Sequence, residues 1–129
     1  MYGVCNAVET LHSLGIIHRD IKPENVMIDT KGKVKLIDLN ASRQYEEHKT
    51  SDTVILGTLG YASPEQLGLS QSDTRTDIYA LGVLLNVMLT GEHPSRKLTD
   101  GKAKKIVLKC TQIDPNSRFS TVEKLAQAL

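Results

Sequence analysis

Eight consecutive residues, His18-Arg19-Asp20-Ile21-Lys22-Pro23-Glu24-Asn25, put a carboxylate, an ammonium and a carboxamide in one proline-stiffened stretch. A further carboxylate, Asp38, closes the apolar run that comes after the next turn. Oxygen ligands on Asn25 and Asp38 suit a hard cation. Asp20 is then left to take a proton, and Lys22 to meet developing negative charge. Those are the parts of Mg²⁺-dependent phosphoryl transfer. Singly, each residue has a plainer explanation, since an isolated loop Asp is usually a turn former or a helix cap. The weight lies in the string.

The elements that must hold these residues can be read from periodicity. Tyr2 to Leu14 has Val4, Ala7, Val8, Leu11 and Leu14 at helical spacing, with Gly15 where a left-handed cap is wanted. Ile16-Ile17 leads into the polar run, where Pro23 argues against regular structure. Val26-Met27-Ile28 and Val34-Lys35-Leu36-Ile37 are short strands joined by the turn Asp29 to Lys33, so that Asp38 could face Asn25 across a hairpin. Residues 40–63 lose periodicity and turn polar, and a stretch that long in a small domain is usually functional. Pro64 opens a short helix. Thr76 to Leu89 is apolar round most of its circumference and reads as a central buried helix ended by Gly91 and Pro94. Lys102 to Thr111 turns Ile106, Val107 and Cys110 inward. Asp114-Pro115-Asn116 is a turn, and Val122 to Leu129 is a last helix capped by Ser120 or Thr121. The expected fold class is mainly α, a helical unit with one small β-hairpin carrying the catalytic and metal-binding loops.

Bulk properties narrow the partners. At 129 residues, 40% hydrophobic and 24% charged, the chain suits one globular domain. A net charge of +1 gives no basis for nucleic-acid or membrane-surface binding, and 4% aromatics with no Trp makes a poor base-stacking platform. Cys5 and Cys110 read as buried free thiols of a reducing compartment. Cys5, His12 and His18 do not have zinc-finger spacing. Met1 leads straight into a helical pattern, so no signal peptide is expected, and Ile78 to Leu89 is too short to span a bilayer.

The string HRDIKPEN resembles the protein-kinase catalytic loop at every signature position. Further matches follow in the family's order: Asp38-Leu39-Asn40 for DFG, Ser63-Pro64-Glu65 for APE, Asp77 and Gly82 for the D-x-x-x-x-G of a buried helix, and Arg118 for a late arginine. The chain, from about Val4 to Leu129, is similar to the C-terminal lobe of eukaryotic-like serine/threonine kinases. GYASPEQ and DIYALGVLL have a bacterial style.

The resemblance implies roles. Asp20 would accept or orient the substrate hydroxyl proton, Lys22 would neutralise the transferring phosphoryl group, and Thr58 would bond both. Asn25 and Asp38 would hold Mg²⁺, and Met27 would floor the adenine of ATP. Asp77 would accept backbone N–H bonds from the catalytic loop, and Glu65 would pair with Arg118. His18 and Leu39 would join the hydrophobic stack between lobes. Arg19 beside Asp20 marks enzymes often switched on by loop phosphorylation, which makes Thr50, Ser51 and Thr53 candidate acceptors. The implied location is cytoplasmic, free or as the cytoplasmic part of a membrane-anchored kinase.

The chain also departs from the pattern. These 129 residues contain no G-x-G-x-x-G loop, no V-A-I-K lysine and no partner glutamate, so the implied N-terminal lobe, with most of the ATP surface, has no counterpart in them. Asn40 stands for the DFG glycine and, as the next-best residue at positive φ, should preserve the turn. Residues 94–106 are short and lysine-rich where the family has a longer platform. Two readings follow. One is a kinase fragment, incompetent alone, whose exposed cleft floor at Met27, Ile37 and Leu39 should self-associate. The other is a standalone kinase-like lobe acting as a binding or regulatory module.

Overall fold

Helix α1, Tyr2–Ser13, forms where the spacing predicts it, but its buried face is Val4, Cys5 and Val8. Leu14 lies beyond the last turn as the cap and is exposed, so the stripe ends one turn early. Gly15 follows at φ 71°, the left-handed residue that reverses the chain. The computed structural model describes residues 1–44, 58–68 and 71–129. Thr50, Ser51 and Thr53 therefore lie outside the described residues, as does Gly57.

Two small antiparallel sheets follow. β2 (Val26–Ile28) and β3 (Val34–Leu36) form the expected hairpin, with Met27 opposite Lys35. Its turn is tied by Asp29, whose Oδ1 accepts the Lys31 and Lys33 amides, each at 2.9 Å. The other sheet pairs β1 (Ile16–Ile17) with β4 (Arg43–Gln44). Neither strand is foreseen from the sequence, because a two-residue strand is too short to show a period.

The core is built on α2, Thr74–Thr90. Its Asp73–Thr76 capping box and left-handed Gly91 set the ends slightly outside the expected ones. Ile78, Ala80, Leu81, Val83, Leu84 and Leu85 are all buried, and each large side chain contributes about 1.5–3 kcal/mol. α3, Gly101–Cys110, packs on α2 so closely that any Cβ at Gly82 would collide with the Cβ of Cys110. α4, Val122–Ala128, packs on α1 and is capped by the Thr121 hydroxyl. Cys5 and Cys110 are buried free thiols, and burial pushes them up to about 11 and about 12. Among the described residues no helix is long and apolar enough to cross a membrane.

Candidate active site

The catalytic-type string forms the loop between β1 and β2, and its shape is imposed from α2. Asp77, fully buried, accepts the His18 amide at 2.9 Å and the Arg19 amide at 2.8 Å. Those bonds hold Arg19 at φ 68°, a left-handed conformation that costs a non-glycine residue about 1–2 kcal/mol. Loop and helix are thus one unit.

His18 is buried and makes a relay of its own. Its Nδ1 accepts the Asp20 amide at 3.3 Å, so Nε2 carries the proton and donates to the Ile37 carbonyl at 3.3 Å. The start of the loop is thereby fixed to the hairpin's return strand. The Ile37 amide in turn donates to the Asn25 carbonyl at 3.0 Å. Asn25 and Asp38 consequently flank the mouth of one hairpin.

Asp20, Lys22 and Thr58 meet in a tight triangle. The Thr58 hydroxyl donates to Asp20 Oδ1 at 2.7 Å, and Lys22 Nζ donates to that same hydroxyl at 2.7 Å. Lys22 Nζ also lies 3.4 Å from Asp20 Oδ2. The Asn25 amide nitrogen donates to the Asp20 carbonyl at 2.8 Å and to its Oδ2 at 3.0 Å. Partial burial pushes the Asp20 carboxyl up, but the Thr58, Lys22 and Asn25 contacts outweigh it and hold it below the usual carboxylate range. Asp20 is therefore an anion at neutral pH, with its charge aimed at a hydroxyl.

With its nitrogen committed to Asp20, Asn25 can offer a cation only its side-chain oxygen. Asp38 is exposed, and its Oδ1 accepts the Asn40 amide at 3.2 Å. Two oxygen donors at one hairpin mouth fit Mg²⁺, which keeps several waters and takes one or two protein ligands beside phosphates. The positive φ expected at Asn40 falls instead on Asp38, at 60°. The Asp38–Asn40 side-chain turn makes this conformation locally favourable and frees Asn40 from it. Met27 is 54% exposed and Leu39 is 49% exposed, apolar surface beside the site. A groove of about 620 Å³ runs between α1 and the hairpin, lined by Leu11, Leu36 and Leu39 among others, and does not include Asp20, Lys22 or Asn25.

The supporting shell reaches further than the sequence suggests. Glu65 and Arg118 form a buried two-pronged ion pair at 2.7 and 2.9 Å. Gln66, next to Glu65, donates to the Arg19 carbonyl at 2.6 Å, and its Oε1 accepts the Ser63 amide at 3.1 Å. His12 donates from Nε2 to Asp77 Oδ2 at 2.8 Å. Ser63-Pro64-Glu65-Gln66 has capping-box spacing, which signals the Gln66 bond to Ser63 but not the one to Arg19. His12 had no such signal beyond lying on the loop-facing helix.

A helical lobe that presents a hydroxyl-binding acid, a lysine and two metal-type oxygens around one hairpin has the architecture of a protein-kinase C-terminal lobe. Comparison with known proteins agrees: the protein kinase domain model matches residues 1–129, and the chain belongs to the protein kinase family. Serine/threonine-protein kinase PknL of Mycobacterium tuberculosis is 44% identical over 92 residues, covering 70% of this chain and 23% of that protein. A probable serine/threonine-protein kinase PknB of Bifidobacterium longum is 43% identical over 97 residues, 73% of this chain and 14% of that protein. PKH1 of Saccharomyces cerevisiae, also a serine/threonine-protein kinase, is 36% identical over 139 residues, 95% of this chain and 18% of its own length. The chain thus spans under a quarter of these relatives. Kinase relatives over this segment favour the enzyme-fragment reading above the regulatory-module one.

Proposed function

We propose that this lobe supplies the transfer half of a serine/threonine kinase cleft, placing a protein Ser or Thr hydroxyl against the γ-phosphate of ATP. The carrying observation is the Asp20–Thr58–Lys22 triangle: an anion that orients a hydroxyl, beside a cation positioned for phosphoryl charge. The substrate hydroxyl would meet the Asp20 carboxylate beside the contact made by Thr58. Asn25 and Asp38 are the residues that would hold Mg²⁺, whose charge offsets that of the phosphates. Met27 offers the surface for adenine. Phosphorylation at Thr50, Ser51 or Thr53, sensed through Arg19, belongs to the same reading, as does work in the cytoplasm.

Because a phosphate-covering loop and its lysine have no counterpart in these residues, positioning is half made, and positioning carries most of the rate. The purified chain with Mg²⁺-ATP and myelin basic protein should give no transfer above background. The same chain joined behind the small lobe of a PknL-type relative should phosphorylate it. Transfer by the chain alone would refute the half-site; an ATP-binding joined protein without transfer would refute the kinase reading.

The small lobe is also the cover this surface lacks. Met27, Ile28, Ile37 and Leu39 are exposed at 54, 68, 38 and 49%. Uncovered apolar surface of this kind favours self-association of the isolated chain. Light scattering behind size exclusion should show mass rising with concentration, and a strictly monomeric profile at high concentration would count against it.

A further inference from the structure

His93 lies in the turn after α2 and belongs to none of the groups above. Its Nδ1 accepts the Ser95 amide at 3.2 Å and lies 2.8 Å from the Ser95 hydroxyl. Nε2 therefore carries the proton and donates to the Gly60 carbonyl at 2.8 Å. Gly60 has φ 93°, and a Cβ there would sit 3.7 Å from the imidazole Cδ2, so ring and glycine are in close register.

Both sides of this bond are anchored. On one side Asn86, fully buried in α2, donates to the Glu92 and Lys97 carbonyls at 2.8 Å each and accepts the Thr99 amide at 2.9 Å. The turn carrying His93 is thus built on the same rigid helix that holds Asp77. On the other side the Tyr61 and Ala62 amides donate to the Thr58 carbonyl at 3.0 and 2.9 Å. The Thr58–Tyr61 turn is consequently pinned at one end by Asp20 and Lys22 and near the other by His93. Leu59, between the pins, is 87% exposed beside the hydroxyl-binding triangle.

We propose that His93 is a positioning residue for the protein substrate. By holding the Gly60 carbonyl it fixes the angle at which Thr58 and Leu59 meet the residue flanking the acceptor hydroxyl. The inference rests on the transfer reading above. It assigns His93 to substrate binding, with no part in ATP binding or in the transfer step.

The joined kinase tests it with two variants. His93→Phe keeps a ring but removes the donor; His93→Gln returns an N–H of similar reach. His93→Phe should raise the peptide KM about 2- to 12-fold, the worth of one hydrogen bond, with kcat and the ATP KM unchanged. His93→Gln should recover most of that. In the 129-residue chain itself, ¹⁵N spectra should show the Nε2–H ring, and His93→Phe should move the Tyr61 and Ala62 amide signals while those of α4 stay put. An unchanged peptide KM, an equal rise in the ATP KM, failure of the Gln variant to recover, or an Nδ1–H ring would each overturn the proposal. A joined parent without turnover would count against the transfer reading alone, and the ring tautomer with the Tyr61 and Ala62 signals would then decide the role of His93.

Discussion

Asp20→Asn in the joined kinase should lower kcat for protein phosphorylation by about 10²–10⁴-fold, the usual worth of a positioned acid–base group, and leave the ATP KM unchanged. The geometry says why so small a change is not tolerated. Asp20 receives the Thr58 hydroxyl on one oxygen and the Asn25 amide on the other, with Lys22 beside the second. A carboxamide has one oxygen for those two faces. If it turns toward Thr58, its NH₂ meets the donors of Asn25 and Lys22. If it turns the other way, the Thr58 hydroxyl proton loses its acceptor. Either way the group that orients the acceptor hydroxyl is misaligned and uncharged. Because the Asp20 carboxyl is held below its ordinary value of 3.8, parent activity should not fall on this group's account until the pH drops below that value. A kcat within a few-fold of the parent would remove Asp20 from the chemistry.

The site around that triangle was largely legible in the sequence because its parts, the distant Thr58 apart, are close along the chain. Asp20, Lys22 and Asn25 share one loop, and the hairpin that brings up Asp38 announces itself by two apolar runs and a turn. The helices were legible for the same reason: a buried face repeats every three to four residues, as Val4 and Val8 or Ile78, Leu81 and Leu85 do. What could not be read lacks a repeat. β1 and β4 are two residues each and pair across the chain, so no window contains their pattern. Gln66 to Arg19 and His93 to Gly60 are single hydrogen bonds between distant segments, each made by a residue that would serve equally as a solvated polar group. Asn86 has no spacing signal inside its apolar helix, yet it is the hub that builds the following turn. Asp38 took the positive φ expected of Asn40 because a side-chain bond to the Asn40 amide, invisible to spacing, favours it.

Arg118→Met should cost about 3–5 kcal/mol of folding stability, read as a lower urea midpoint of the isolated chain, because it leaves a buried carboxylate without its cation. Against a typical total of about 5–15 kcal/mol that is about a fifth or more. Arg118 uses all five of its N–H donors: two on Glu65, and the others on the carbonyls of Arg75, Gln112 and Ile113. The double variant Glu65→Met/Arg118→Met should therefore not return to parental stability, since the carbonyls of Arg75, Gln112 and Ile113 each lose the Arg118 donor. The pH dependence separates the charge from the packing. In the parent, burial pushes the Glu65 carboxyl up, but the Arg118 contacts prevail and hold it below its ordinary value of 4.5. Its contribution is complete above that value and is lost as the pH falls through the lower folded-state value. In Arg118→Met the burial remains while the largest opposing contacts are gone, leaving a backbone N–H, the Ser63 side chain and the Thr76 hydroxyl against it. The carboxyl therefore moves up from its parental position and its protonation costs less. The gap between the two proteins should narrow as the pH drops from neutral to below 4.5. A gap that stays constant to pH ~3, below the ordinary carboxylate range, would mean that Arg118 acts through its carbonyl contacts alone. Since Gln66, adjacent to Glu65, holds the Arg19 carbonyl, the same variant should also loosen the loop that carries Asp20. The buried ion pair would then contribute both to the stability of the lobe and, through Gln66, to the loop that Asp77 shapes around Asp20.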